Sequence, residues 1–170
     1  MQKPLSNEYN PYYQNYIDLV PDGDFFEMLR DQRGAIVRFF EDLPEEKYDY
    51  QYAEGKWTIK EVLMHILDTE RVMAYRALVA ARGDKTTKLQ NMDEGLYARN
   101  MNASDRTMKS LLDEFKAIRH STVFLYENMP EEQSQWEADA VTHPFTARAL
   151  GYIIIGHVQH HLNVIQERYL

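Results

Sequence analysis

The run Thr58-Ile59-Lys60-Glu61-Val62-Leu63-Met64-His65-Ile66-Leu67-Asp68-Thr69-Glu70-Arg71, continuing to about Arg82, decides the fold. Thr58 followed three residues later by Glu61 is a capping-box pattern, in which each side chain satisfies the other residue's backbone N–H. At about 100° per residue, Ile59, Val62, Leu63, Ile66, Met73 and Ala77 share one arc, which predicts an amphipathic helix stopped by Gly83. Thr58, Glu61, Asp68, Thr69 and Arg76 fall within about 60° of His65, a polar stripe beside the apolar arc. Buried polar groups cost free energy unless satisfied, and a metal ion with its water would satisfy several at once. Glu70 sits near the centre of the apolar arc and needs a partner. An ion pair with Arg38, Arg119 or Arg148 is favoured over a role as acceptor for a ligand imidazole.

Three further segments carry helical periodicity, and none shows the alternation of a half-buried strand, so the chain reads as all-α. One helix starts between Pro21 and Asp24, capped by Asp22 or Asp24, and runs through Phe25, Leu29, Ile36 and Phe40 to Pro44. Another begins around Ser104 and Asp105, carries Leu111, Phe115, Ile118, Thr122 and Leu125 on one face, and ends before Pro130. The last spans about Phe145 to Tyr169. Residues 83–103 form the long link, with a short helix around Asp93 to Asn100, and a connection of that length can cross a bundle or serve function. The arm Tyr9, Pro11, Tyr12, Tyr13 and Tyr16 is too aromatic for a free tail. The expectation is one domain over residues 1–170, with residues 1–20 packed on the bundle.

Composition narrows the chemistry. Without cysteine, any metal site uses His, Asp or Glu. A net charge of −8 argues against direct nucleic-acid binding, which rests on basic phosphate contacts. The first ten residues lack the pattern of a secretion signal, and no apolar run approaches the roughly 18 residues of a membrane span, so a soluble cytoplasmic location is expected.

His157 and His161 lie about 40° apart on the arc of Leu150, Ile153 and Val164, one turn from each other, a spacing that lets two imidazoles reach one ion. A lone inward histidine is more often a hydrogen-bonded core residue than a ligand. The pair, together with His65 in its polar stripe, shifts the balance towards a metal. His160 flanks this face, His120 belongs to a helix surface and His143 to a loop. The H-E-x-x-H, paired Glu-x-x-His, P-loop and nucleophile-elbow patterns are absent. Three neutral imidazoles suit zinc or nickel and tolerate iron, cobalt or manganese.

The stretch Gly55–Arg71, with its Trp57-Thr58 helix start and inward His65, resembles the first signature of the DinB/YfiT family. Gly156-His157-Val158-Gln159-His160-His161-Leu162 resembles the second, and the arm Glu8–Tyr16 is similar to that of a DinB-like subgroup. The resemblance implies a left-handed four-helix bundle of up-down-down-up topology, with one metal held by His65, His157 and His161. Known chemistry in the family is thiol transfer by bacillithiol S-transferases and mycothiol-dependent isomerases. In that chemistry the metal lowers a thiol's pKa, and the thiolate attacks an electrophile.

The first functional expectation is therefore a metal-dependent, S-transferase-like enzyme acting on a small molecule, with a low-molecular-weight thiol as co-substrate. Arg76 and Arg148 are candidates for holding the cofactor's carboxylates. A second reading is metal-dependent hydrolysis with Glu61 or Asp68 as general base. A third is a non-catalytic metal-binding stress protein. A homodimer through an exposed helix face is also open.

Overall fold

The computed structural model describes residues 1–138 and 143–170. Residues ahead of the first long helix form a 3-10 turn, Pro11–Tyr13, and the short helix α1, Gln14–Asp18. Helix α2, Phe25–Glu41, is capped by Asp24, whose carboxylate accepts from the Glu27 N–H. Helix α3, Ile59–Ala81, opens on the expected box: Glu61 N donates to Thr58 Oγ1 at 3.1 Å, and Thr58 N donates to Glu61 Oε2 at 2.7 Å. Gly83, at φ 64°, provides the left-handed turn beyond its end.

Within the long link lies α4, Glu94–Asn100, capped by Asp93. Helix α5, Met108–Glu127, starts about one turn later than expected because the Thr107 hydroxyl, not Ser104 or Asp105, accepts the first free N–H, from Ser110. The short α6, Glu131–Ser134, follows. A two-residue antiparallel bridge between β1, Glu137–Ala138, and β2, Phe145–Thr146, precedes α7, Ala147–Arg168. Phe145 is thus strand rather than helix, and the Thr146 hydroxyl caps α7 by accepting from Ala149 N. Among the described residues, no helix is long and apolar enough to cross a membrane.

Side-chain pairings fix the directions of α2, α3, α5 and α7. Arg30 near the start of α2 meets Glu127 at the end of α5, so those two run antiparallel. Lys60 at the start of α3 reaches Ser104 just ahead of α5, and further along α3 Glu70 and Arg71 pair with Arg119 and Glu114 within α5, so α3 and α5 run parallel. Tyr169 after α7 donates to the Trp57 carbonyl ahead of α3, an antiparallel pair. Phe25 stacks near Tyr152, and Gln32 donates to the Ile155 carbonyl, making α2 and α7 parallel. The result is up-down-down-up. Because α3 and α5 point the same way, the chain must travel back along the bundle between them, which is the work of residues 83–103. The links from α2 to α3 and from α5 to α7 are also long, since each crosses the bundle diagonal instead of joining neighbours.

The core divides into two apolar clusters. One surrounds Phe25, Leu29, Ala77, Tyr126 and Leu150; the other surrounds Ile36, Phe40, Leu63, Phe115 and Ile165. Between them lies a polar layer to which every long helix contributes: Gln32, Glu70, Arg119 and His157. Glu70 and Arg119 form a fully buried two-pronged ion pair, with N–O distances of 2.7 and 2.8 Å, and Arg119 also donates to Gln32 at 2.8 Å. Of the three arginines the sequence offered Glu70, Arg119 is its partner. The arm is anchored to the other end of the bundle: Glu8, buried, accepts from the Thr146 hydroxyl and pairs with Arg148. Tyr9, Ile17 and Val20 are buried in the first cluster.

Candidate metal centre

The polar layer opens into a cluster of three imidazoles. His65 projects from α3 and His157 and His161 from successive turns of α7, because antiparallel packing puts the two helices face to face at this level. His65 Nε2 and His161 Nε2 each lie 3.1 Å from His157 Nε2, and donor atoms of all three residues fall within 4.8 Å of one another. His65 and His157 are buried and His161 half-buried. Trp57 lies against the His65 ring at 4.8 Å, and Tyr16 meets the rings of His157 and His160 at 5.5 and 5.3 Å.

The donor set fits a cation better than it fits itself. A neutral imidazole Nε2 is either a single donor or a single acceptor, so the His157 nitrogen cannot complete good hydrogen bonds to two others at once. Zinc–nitrogen bonds of about 2.0–2.1 Å at tetrahedral angles would place ligand nitrogens about 3.3–3.4 Å apart, close to the two short separations here. The imidazoles are also held in the ligating, neutral form. Burial lowers the pKa of His65 to about 4 and that of His161 to about 3, and carries His157 well below the ordinary 6.5, with neighbouring imidazoles adding to each shift.

These shifts set a pH dependence. Since the folded pKa values are depressed, the unfolded chain takes up protons first, and stability falls as acid is added. Metal-free protein is expected to hold the full contribution above pH 6.5 and to lose it as pH drops towards 4 and then 3. Urea unfolding of chelator-treated protein should show a lower midpoint at pH 5 than at pH 7. An unchanged midpoint would mean that the imidazoles are solvated.

A cavity of about 400 Å³ adjoins the cluster, with His157 in its wall alongside Tyr12, Tyr13, Tyr16, Met73 and Arg76. A second, of about 290 Å³, lies beside His161 and His160 and is walled by Trp57, Tyr52 and Tyr169. Of the carboxylates proposed from sequence, Glu61 is committed to the capping box and Asp68 lies beside Arg71, its pKa raised by burial. Neither lines either cavity. Arg76 does reach the first cavity, whereas Arg148 is held by Glu8 away from it.

Sequence reasoning placed the tyrosine arm on the bundle but did not see it as the wall of this site. The signal was Gly156, next to His157: a Cβ there would come within 1.9 Å of the Tyr16 carbonyl oxygen, so only glycine lets the arm close on α7.

The DinB superfamily profile matches residues 28–165. The fold is similar to that of YfiT from Bacillus subtilis, described as a probable metal-dependent hydrolase with an unusual four-helix bundle topology. That similarity has a TM-score of 0.69 and 16% identity, and covers 98% of this chain and 90% of YfiT. A DinB-like protein of the same organism, YjoA, is similar with a TM-score of 0.59 and 23% identity, over 85% of this chain and 91% of YjoA. No curated protein sequence matches the chain.

Proposed function

The chain belongs to the DinB superfamily, and from that membership together with the imidazole geometry we propose that His65, His157 and His161 bind one divalent ion, zinc or nickel, in a thiol-dependent transferase of small molecules. The convergence of three neutral Nε2 atoms beside a cavity is the observation that carries this reading. When bound, such an ion supplies Lewis acidity that makes a thiol nucleophilic at neutral pH. The protein's own part is to hold the imidazoles deprotonated, to exclude water with Trp57 and Tyr16, and to orient two reactants.

Two features favour transfer between two molecules over hydrolysis. The cluster has a cavity on either side, one bordered by His157 and one by His161, which suits a thiol and an acceptor. The carboxylates expected as general base, Glu61 and Asp68, both lie outside the cavities, and the one that does line the larger, Glu94, is exposed to solvent. Hydrolysis, the activity attributed to YfiT, remains the second reading, with Glu94 as the carboxylate that does line the larger cavity. The acidic net charge of −8 supports a small-molecule substrate rather than nucleic acid.

Titration of cobalt-loaded protein with 2-mercaptoethanol tests the proposal. A thiolate-to-cobalt absorption band in the near ultraviolet, followed by conjugation of the thiol to an added electrophile such as monochlorobimane, is expected. If the band fails to develop while ester substrates are turned over, the hydrolytic reading replaces this one.

A further inference from the structure

Arg76 is 4% exposed, yet among the described residues its hydrogen-bond partners are uncharged. It donates to the Gln90 carbonyl at 2.6 Å, contacts Met73 Sδ at 3.8 Å, and lies within hydrogen-bonding reach of Tyr13. The other deeply buried arginine, Arg119, has a two-pronged carboxylate. A guanidinium offers five N–H donors in a fork that matches a carboxylate or phosphate, and burying one without a counter-anion is costly. Arg76 faces the same cavity as His157, with Asn10 and Asn91 as further polar walls and Phe145 and Ile153 as apolar ones. Glu94 also borders that cavity but is exposed, so solvent screens its charge.

We infer that the substrate entering this cavity is a small molecule carrying an oxyanion, carboxylate or phosphate, which Arg76 binds at a distance from the reacting atom beside His157. Residue 76 lies roughly 16 Å of axial rise beyond residue 65 along α3, at 1.5 Å per residue, so Arg76 stands about three turns from the imidazole cluster. The oxyanion and the reacting group are therefore set apart within the cavity, joined by an apolar framework lying between the tyrosines and Met73. A cavity of about 400 Å³ is in the range that takes such a molecule. This inference rests on the centre proposed above for the reacting end, but the anion site is a property of Arg76 alone.

Calorimetric titration with glutarate, inorganic phosphate and the uncharged glutaramide tests it. The proteins are metal-loaded wild type, Arg76→Met and Arg76→Lys, with the Arg76 pair repeated in metal-free His65→Ala. Glutarate or phosphate is expected to bind wild type at least tenfold more tightly than Arg76→Met, with partial recovery in Arg76→Lys and no such difference for glutaramide. The tighter of the two anions names the substrate's charged group. The Arg76 dependence should persist in the His65→Ala background, and Arg76→Met should melt close to wild type, since it orphans no carboxylate and frees only the carbonyl of the exposed Gln90. Absence of oxyanion binding, equal binding by wild type and Arg76→Met, or a large loss of stability in Arg76→Met would overturn the inference. Arg76-dependent binding in a wild type that takes up no metal would instead remove the metal centre and leave the anion site standing.

Discussion

Replacing His157 with alanine is expected to abolish stoichiometric metal. His157 Nε2 is the atom on which the other two imidazoles converge, at 3.1 Å each. Structural zinc in four-ligand zinc-finger peptides binds with an apparent 10–16 kcal/mol, so one ligand accounts for about 2.5–4 kcal/mol, on the order of 10²–10³ in Kd. Elemental analysis of protein purified without chelator should fall from about one ion per chain to under a tenth, with helix content by circular dichroism unchanged. His160→Ala, on the same helix but outside the cluster, should keep its ion. Full occupancy in the His157 variant would remove that residue from the ligand set.

The second large effect is on stability and has nothing to do with metal. Arg119→Met leaves the Glu70 carboxylate buried with its charge unpaired, and breaking one side of such a pair costs about 3–5 kcal/mol. At roughly 2–4 °C per kcal/mol for a chain of this size, Tm should drop by about 6–20 °C in a thermal melt. Adding Glu70→Leu to the same chain should recover most of the loss, because an apolar pair of similar volume often replaces a buried ion pair at little cost. The exposed Arg71 is the contrast: it pairs with Glu114 at the surface, and Arg71→Ala should cost under about 1 kcal/mol. If Arg119→Met melts like wild type, the polar layer does not hold the helices as described.

Much of the fold is legible in the sequence because its signals are local. The Thr58–Glu61 box lies within one turn, as does the His157–His161 spacing, so backbone periodicity alone puts those side chains where they are. Where a signal was displaced, a neighbouring hydroxyl was the cause. Thr107 rather than Ser104 or Asp105 caps α5, although all three positions offer an acceptor within four residues of one another.

Partner choice across the bundle is a different matter. Glu70 on an apolar arc demands an arginine, and Arg38, Arg119 and Arg148 all satisfy that demand on paper. Only packing decides that Arg119 takes it, that Glu8 claims Arg148, and that Arg76 is left facing a cavity with uncharged partners. The amino-acid sequence by itself determined the four long helices, their inward faces and the one-turn spacing of His157 and His161, because each depends on residues a few positions apart. Which side chains meet from positions 92 or 140 residues apart, and which cavities remain between them, was decided by the tertiary structure, because those contacts depend on helix direction and on where Gly156 lets the tyrosine arm come down.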